Sequence, residues 1–541
     1  MQNLLCCINE NVCRLKKTNQ APATTNLHYY LLKLEFRVKL IMHIAIFPIA
    51  LFLILVIVIV VKYIERLFYW KRQNVATLST SLLLWKTRNK PLHQVISEVY
   101  EEMFQSKESF RAIELVFFSA LFVQDQVAIK NILATQYENF ADRGIYVNEN
   151  DPLLNHMARL PYEKWQLLRR KFGPAFAPNM TKTMYPLVTK CCEQFVEVLK
   201  QSVKTSHHVT NVHDLCSRFA IDVIGSIAFG VECNSFKDPQ AMFRTLGEKA
   251  SREHFQSIFQ FKTKYLDILK LFNVKYHSKE TTDFFTNLVK ETMKQREEHA
   301  IQRGDFMDIL IELKNDPRGW AAYPLTLERL VAQAFLFFGA GYNSTAAALS
   351  EALYEMAKNQ DIQNKARQEV FEVLRQSGSP DISYECTKEM KYIKQVILET
   401  LRRYTLVYMM PRYCRQSCTV ATSNGSLDID ADTFIIIPVH AIHNNAKYYP
   451  EPHVFRPERF EASARANRPV CSFMGFGGGP KTCIAENFSY AKVIACLAHL
   501  LINFRFSTCE ETPKELIFDR EIFRLSIDEI YLKVEKLTHK P

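Results

Sequence analysis

The chain has 541 residues, more than one hydrophobic core usually fills, so its length suggests two or three domains. With 48% apolar and 23% charged residues it has ordinary globular composition, which excludes a disordered or fibrous chain. The net charge of +11 is uneven: residues 1–72 hold ten Lys and Arg against Glu10, Glu35 and Glu65, leaving only +4 for the other 469 residues. So weakly basic a body does not suit binding nucleic acid by phosphate neutralisation, and no nucleic-acid partner is expected.

The first element in chain order is IMHIAIFPIALFLILVIVIVV, residues 41–61, which carries no charge. As a helix rising about 1.5 Å per residue it reaches about 32 Å, enough for a hydrocarbon core of about 30 Å. The following Lys62-Tyr63-Ile64-Glu65-Arg66 is no small-residue cleavage site, so the segment is predicted to be a single transmembrane anchor and not a removed leader. Cations flank it on both sides. If translation starts at Met42, the tally becomes none before the span against Lys62, Arg66, Lys71 and Arg72 after it, which places the body in the cytosol. Residues 1–40 are therefore expected to be an N-terminal extension, either an overlong gene model or a dispensable tail.

Beyond residue 95 helical patterns dominate. Pro161 opens a segment that stops at Gly173-Pro174, and apolar spacing near 3.6 predicts helices over about 182–204, 280–302, 325–358, 361–376, 387–403 and 484–503. Strand-like stretches are few, at about 115–123, 419–422, 434–439 and 529–534. The expected fold class is mainly α with a minor β-sheet. The fourteen cysteines are scattered and show neither Cys-x-x-Cys pairs nor trailing histidines, so most read as small apolar residues.

One cysteine differs. Phe476-Gly477-Gly478-Gly479-Pro480-Lys481-Thr482-Cys483-Ile484-Ala485 places three glycines, able to form a tight loop, before a cysteine at the start of an apolar helix. Free N–H groups and the helix dipole there favour a thiolate. A phosphate loop is a poor alternative, because Pro480 stands where G-x-x-x-x-G-K-[ST] needs Gly, and no strand precedes the loop as a dinucleotide fingerprint requires. A plain structural turn remains the other reading.

The loop F-x-x-G-x-K-x-C-x-A resembles the haem-thiolate loop of cytochrome P450 enzymes, usually F-x-x-G-x-R-x-C-x-G. Further motifs follow in the family's order: Trp165-x-x-x-Arg169 resembles W-x-x-x-R, and Ala340-Gly341-Tyr342-Asn343-Ser344 resembles A-G-x-[DE]-T. Glu399-x-x-Arg402 matches E-x-x-R, and Phe455-Arg456-Pro457-Glu458-Arg459-Phe460 matches F-x-P-x-R-F. The similarity spans about 62–541 and is strongest to the microsomal enzymes of insect xenobiotic metabolism. It implies a cytochrome P450-type fold behind the anchor and haem b as cofactor, with Cys483 as the metal ligand. The activity it implies is a monooxygenase that inserts one atom of O2 into apolar organic substrates. NADPH would supply electrons through NADPH-cytochrome P450 reductase, with cytochrome b5 as a possible second donor, at the endoplasmic reticulum membrane.

The resemblance also assigns roles. Trp165, Arg169, Arg412 and Lys481 would hold haem propionates, with Ala340, Gly341 and Phe476 against the cofactor. Asn343, Ser344 and Thr345 would form the oxygen-side catalytic group, and Glu399, Arg402 and Arg459 a buried structural network. Trp165 and Arg169, four apart on one helix face, are able to address a single anion. Gly341 inside a helix costs about 1 kcal/mol relative to Ala, for which room for haem and O2 is one reason and a helix crossing the other.

The chain departs from the family pattern in five places. Asn343 replaces an acid and cannot carry a proton, and Ser344 replaces Thr and serves only if it does not bond back to the Ala340 carbonyl. Lys481 replaces a forked Arg, and Ala485 replaces Gly. The proline-rich hinge after the anchor is missing from 63–90. These departures leave two rivals: a catalytically impaired haem or ligand binder on the same fold, and an O2-independent haem-thiolate isomerase. Contacts with substrate are expected around 143–160 and 235–275, lining a largely apolar pocket. N-terminal sequencing of the native protein is expected to find Met42 as the first encoded residue; a retained Met1 would overturn the reading of residues 1–40.

Overall fold

The computed structural model describes residues 23–79, 86–88, 90–114, 119–145, 147–148, 150–205, 208–255, 273, 275–315, 323–516 and 529–538. It divides into two compact units, one up to Tyr69 and one from Trp70 onward. Helix α1, Ala23–Arg72, contains the whole of 41–61 and continues unbroken into 23–40. Its apolar portion suitable for crossing a membrane lies within Pro48–Arg72, with side chains such as Leu51, Phe52 and Ile57 exposed. Pro48 removes one N–H from the helix ladder.

In the second unit the remaining helices of more than ten residues are α2 Leu92–Gln105, α3 Tyr162–Phe172, α4 Pro178–Thr205, α5 Val212–Ile224, α6 Met242–Phe255, α7 Lys279–His299, α8 Leu327–Lys358, α9 Gln360–Ser377, α10 Lys391–Arg403 and α11 Glu486–Asn503. The expected helices are all present within a few residues. One expectation needs correction: 387–403 is two helices. Tyr384–Glu389 is capped by Ser383, whose Oγ accepts from Cys386 N at 3.2 Å. After Met390 the chain restarts as α10, because the half-buried Glu369 carboxylate accepts from Tyr392 N at 2.6 Å and Ile393 N at 2.9 Å and so caps the new first turn. Helices α2, α5 and α6 were not expected from the spacing.

A five-stranded sheet has the order β1-β2-β3-β8-β5, from Ala76–Leu78, Phe110–Glu114, Ser119–Val123, Phe434–Ile437 and Met410–Tyr413. Of the stretch expected at 115–123, residues 115–118 lie outside the described residues, and β2 precedes it as a separate strand. β4 Val209–Asn211, β10 Tyr531–Lys536 and β9 Phe504–Ser507 form a second sheet, and β6 Cys418–Thr422 pairs with β7 Gly425–Ile429. The fold class is therefore mainly α with minor sheets, as expected. α8 is the core's axis: its Leu330, Phe338, Leu349, Leu353 and Tyr354 are buried on successive faces, packed by α5, α10 and α11. A helix apolar nearly all round belongs inside.

The network of Glu399, Arg402 and Arg459 holds the connections around α10. Arg402 Nε donates to Glu399 Oε2 at 2.7 Å and its Nη2 to Oε1 at 2.9 Å, with neither side chain exposed. Arg402 also donates to the carbonyls of His443, at 3.0 Å, and Pro452, at 2.8 Å. Arg459 Nε lies 3.3 Å from Glu399 Oε1, and Arg456 N donates to the same oxygen at 3.1 Å. Replacing Glu399 by Ala strands two guanidiniums in the interior, so E399A is expected to lose about 3–5 kcal/mol, read as a lower urea midpoint.

Candidate active site

The cysteine loop is built on His443. Its ring, stacked on Phe473 at 5.2 Å, accepts from Met474 N through Nε2 at 2.7 Å. Burial, with Arg402 adding to it, pushes His443 down to about 3, so the ring stays neutral and keeps that acceptor. The loop then closes on the Phe476 carbonyl, which accepts from Cys483 N at 2.8 Å and Thr482 Oγ1 at 3.1 Å. Gly477 and Gly479 have φ of +89° and +66°. A Cβ on Gly479 would stand 1.7 Å from the Leu133 carbonyl oxygen, so the loop lies directly on the Asn131–Thr135 turn.

Cys483 precedes α11 by three residues and lines a cavity of about 560 Å³. Its accessible surface faces that cavity, while the rest of the residue is enclosed. Burial pushes the thiol up, and the Ala485 N–H opposes it. The bias toward thiolate expected from the helix start is thus outweighed by desolvation.

Among the cations that line the same cavity are Arg143, Arg169, Arg412 and Lys481. Arg412 Nη1 donates to its neighbour's carbonyl, Pro411 O, at 2.8 Å, and Arg143 Nη1 to Ala158 O at 2.8 Å. Among the described residues none of the four forms an ion pair with a carboxylate. Burial lowers all four, Arg412 to about 9 and Lys481 to about 6, and the mutual repulsion of Arg143, Arg412 and Lys481 adds to it. The Lys481 ammonium lies 4.3 Å from the centre of the Trp165 ring. Trp165 is itself buried, whereas Arg169 is half-buried at the cavity wall. Phe476 lines the cavity beside Tyr490, with ring centres 5.0 Å apart.

Buried cations without carboxylates need an anion from outside the chain. A planar group with an apolar body and two carboxylates fits a void walled by Phe, Ile and Met side chains with guanidiniums converging on it, and Cys483, the one cysteine lining that void among the described residues, has the chemistry of a soft ligand.

The opposite wall is α8, where the structure corrects several expectations. The Asn343 amide donates to Ser251 Oγ on α6, so it bridges two helices. Ser344 Oγ does bond back, donating to Ala340 O at 2.5 Å, and Thr345 Oγ1 likewise donates to Gly341 O at 2.6 Å. A Cβ on Gly341 would meet Ile224 Cδ1 at 2.7 Å, so this glycine admits the crossing of α5. Gly339 is the glycine whose missing Cβ leaves open space, beside the exposed Ala340 on the cavity wall.

A family model of cytochrome P450 matches residues 78–534. The chain belongs to the cytochrome P450 family. It is 38% identical over 493 residues to cytochrome P450 6a8 of Drosophila melanogaster, covering 88% of this chain and 96% of that one. Probable cytochrome P450 6a18 of the same fly is 37% identical, covering 85% and 93%, and cytochrome P450 6A1 of Musca domestica is 32% identical, covering 87% and 94%. This P450 is accordingly a haem-thiolate monooxygenase with haem b as cofactor.

Sequence reasoning missed Arg143, His443 and Lys492. Arg143 carries no motif spacing, and His443 acts through its position after β8. Lys492 did leave a signal, as a lone charge in the apolar run of α11. Of the expected substrate regions, Arg143, Ile145 and 156–159 line the cavity, as do Ala250 and Ser251, whereas 256–272 and 274 lie outside the described residues. Phe306 and Phe335–Phe338 form a wall the sequence did not suggest. Gly479→Ala is expected to cost more stability than Gly478→Ala. The first meets backbone at an unfavourable φ, costing at least about 1–3 kcal/mol, while the second meets only the Leu133 side-chain tip; urea midpoints of the two variants check this.

Proposed function

We propose that this P450 is anchored by its N-terminal helix in the endoplasmic reticulum membrane with its body, 62–541, in the cytosol. There it would oxygenate apolar organic molecules, xenobiotic or endogenous, with electrons from NADPH through NADPH-cytochrome P450 reductase and cytochrome b5 as a second donor. The observation that carries the reading is the meeting of Cys483 with Arg143, Arg169, Arg412 and Lys481, none ion-paired to a carboxylate among the described residues, and an aromatic wall in one cavity of about 560 Å³. When bound, haem b supplies the redox-active iron, ligated by the Cys483 thiolate, that activates O2.

The chain's own residues would do the rest. Arg143, Arg412 and Lys481 would take the propionates, with Trp165 and Arg169 on the same wall. An anion there restores the charge that Lys481 loses when it is buried beside two guanidiniums. Phe176, Phe306 and Phe337, whose rings pack against one another 4.1–6.1 Å apart, would exclude water and hold a substrate by apolar burial alone. Such a wall recognises shape and hydrophobicity, which suits a broad range of lipophiles.

The carbon monoxide difference spectrum of the reduced protein, expressed from Met42, tests the reading. A red-shifted Soret band that Cys483→Ser abolishes is expected; an unshifted band, or no haem, would favour the ligand-binder alternative. Lys481→Met is expected to speed haem transfer to an acceptor globin about ten-fold, equivalent to about 1.4 kcal/mol, with Lys481→Arg at or below the native rate.

A further inference from the structure

Lys492 is the one Lys, Arg, Asp or Glu between Glu486 and the end of α11. It is 3% exposed and lines the same cavity as Cys483, Gly341 and Asn343. Its Nζ donates to the Gly341 carbonyl at 3.3 Å and lies 5.3 Å from the centre of the Phe488 ring, and among the described residues no carboxylate pairs with it. An ammonium has three N–H donors. The Gly341 carbonyl accounts for one, and an aromatic face takes no ordinary hydrogen bond, so the others have the cavity to serve. Burying such a group is unfavourable where Leu or Met would pack freely.

The oxygen-side turn of α8 lacks what Lys492 has. The protons of Ser344 and Thr345 are committed to the carbonyls of Ala340 and Gly341, and the Asn343 amide is engaged with Ser251 and does not ionise. Lys492 reaches this turn from α11 and bonds to the carbonyl at its centre.

We propose that Lys492 is the proton donor of the oxygen-side wall in this P450, in place of the Asn343–Ser344 pair. The inference rests on the monooxygenase reading. In that reaction a substrate C–H, O2, NADPH and a proton become an alcohol, water and NADP⁺; NADPH gives up its hydride as two electrons and a proton released to the medium, so two protons enter the departing water while one is consumed net. Lys492 gives up an N–H proton to form a water O–H bond and regains one from solvent, acting as a carrier with no net change. Burial pushes its ammonium down to about 8, close to the working pH, where proton transfer is most effective. The Gly341 bond fixes its direction.

The test compares Lys492→Met, which keeps the length and removes the donor, with Lys492→Arg, which keeps a donor. Both are loaded with haem and supplied with NADPH-cytochrome P450 reductase and NADPH. Haem content and the position of the reduced carbon monoxide band come first, since their loss in the native protein would defeat the monooxygenase reading itself. With these intact, Lys492→Met is expected to release a several-fold larger share of reduced oxygen as hydrogen peroxide instead of water. Its midpoint potential should shift negative because a buried positive charge is gone, and Lys492→Arg should restore both. Native values of both quantities in Lys492→Met would overturn the proposal. So would loss of haem in Lys492→Met with native peroxide release in a haem-retaining Lys492→Gln, since Lys492 would then only hold the two helices together.

Discussion

The buried Glu399 carboxylate is the constraint on which the catalytic end of this P450 depends. It stands on α10 and takes two bonds from Arg402 and a third from the Arg456 amide, while Arg459 closes the set. In a low-dielectric interior such a charge is tolerable only when its partners are all in place, which makes the arrangement all-or-none. Through Arg402 it grips the His443 carbonyl, and through the His443 ring it sets the Met474 amide at the entrance of the cysteine loop. The loop that presents Cys483 is thus positioned by a salt bridge some eighty residues away in the chain.

Around the cavity the same physics runs the other way. Arg143, Arg412 and Lys481 are brought together, and among the described residues none forms an ion pair with a carboxylate, an arrangement that opposes their charge unless an anionic group completes it. The charge of these side chains defines the sign of the group the site would hold. Lys481 over Trp165 shows how a lysine substitutes for a forked guanidinium here, with the indole face supplying part of the attraction that the missing donors would have supplied.

On the α8 side, polar groups that resemble a proton relay are occupied with holding helices. Ser344 and Thr345 bond to their own helix, and Asn343 ties α8 to α6. Gly341 admits Ile224 of α5, so its cost in helix propensity is met by close packing. Lys492 bonds to this wall from α11, the helix that follows Cys483.

Much of this was legible in the sequence by itself. The apolar run after Met42, the glycine loop before Cys483, the i,i+3 spacing of Glu399 and Arg402 and the helical periods of α8 and α11 all follow from local spacing, because one helix face or one turn contains the whole signal. The departures at Asn343, Ser344, Lys481 and Ala485 were visible for the same reason. What only the tertiary structure decided is how residues distant in the chain meet. Arg143 joins Arg412 because β5 runs antiparallel to β8 and Tyr413 N bonds back to Asp142 O, at 2.9 Å, beside it. Lys492 reaches Gly341 because α8 and α11 pack together, and the Ser344 hydroxyl is taken by the Ala340 carbonyl one turn back in α8. Local spacing fixes which side chains share a face; the pairing of faces depends on burial summed over the whole core, which no short stretch of sequence contains.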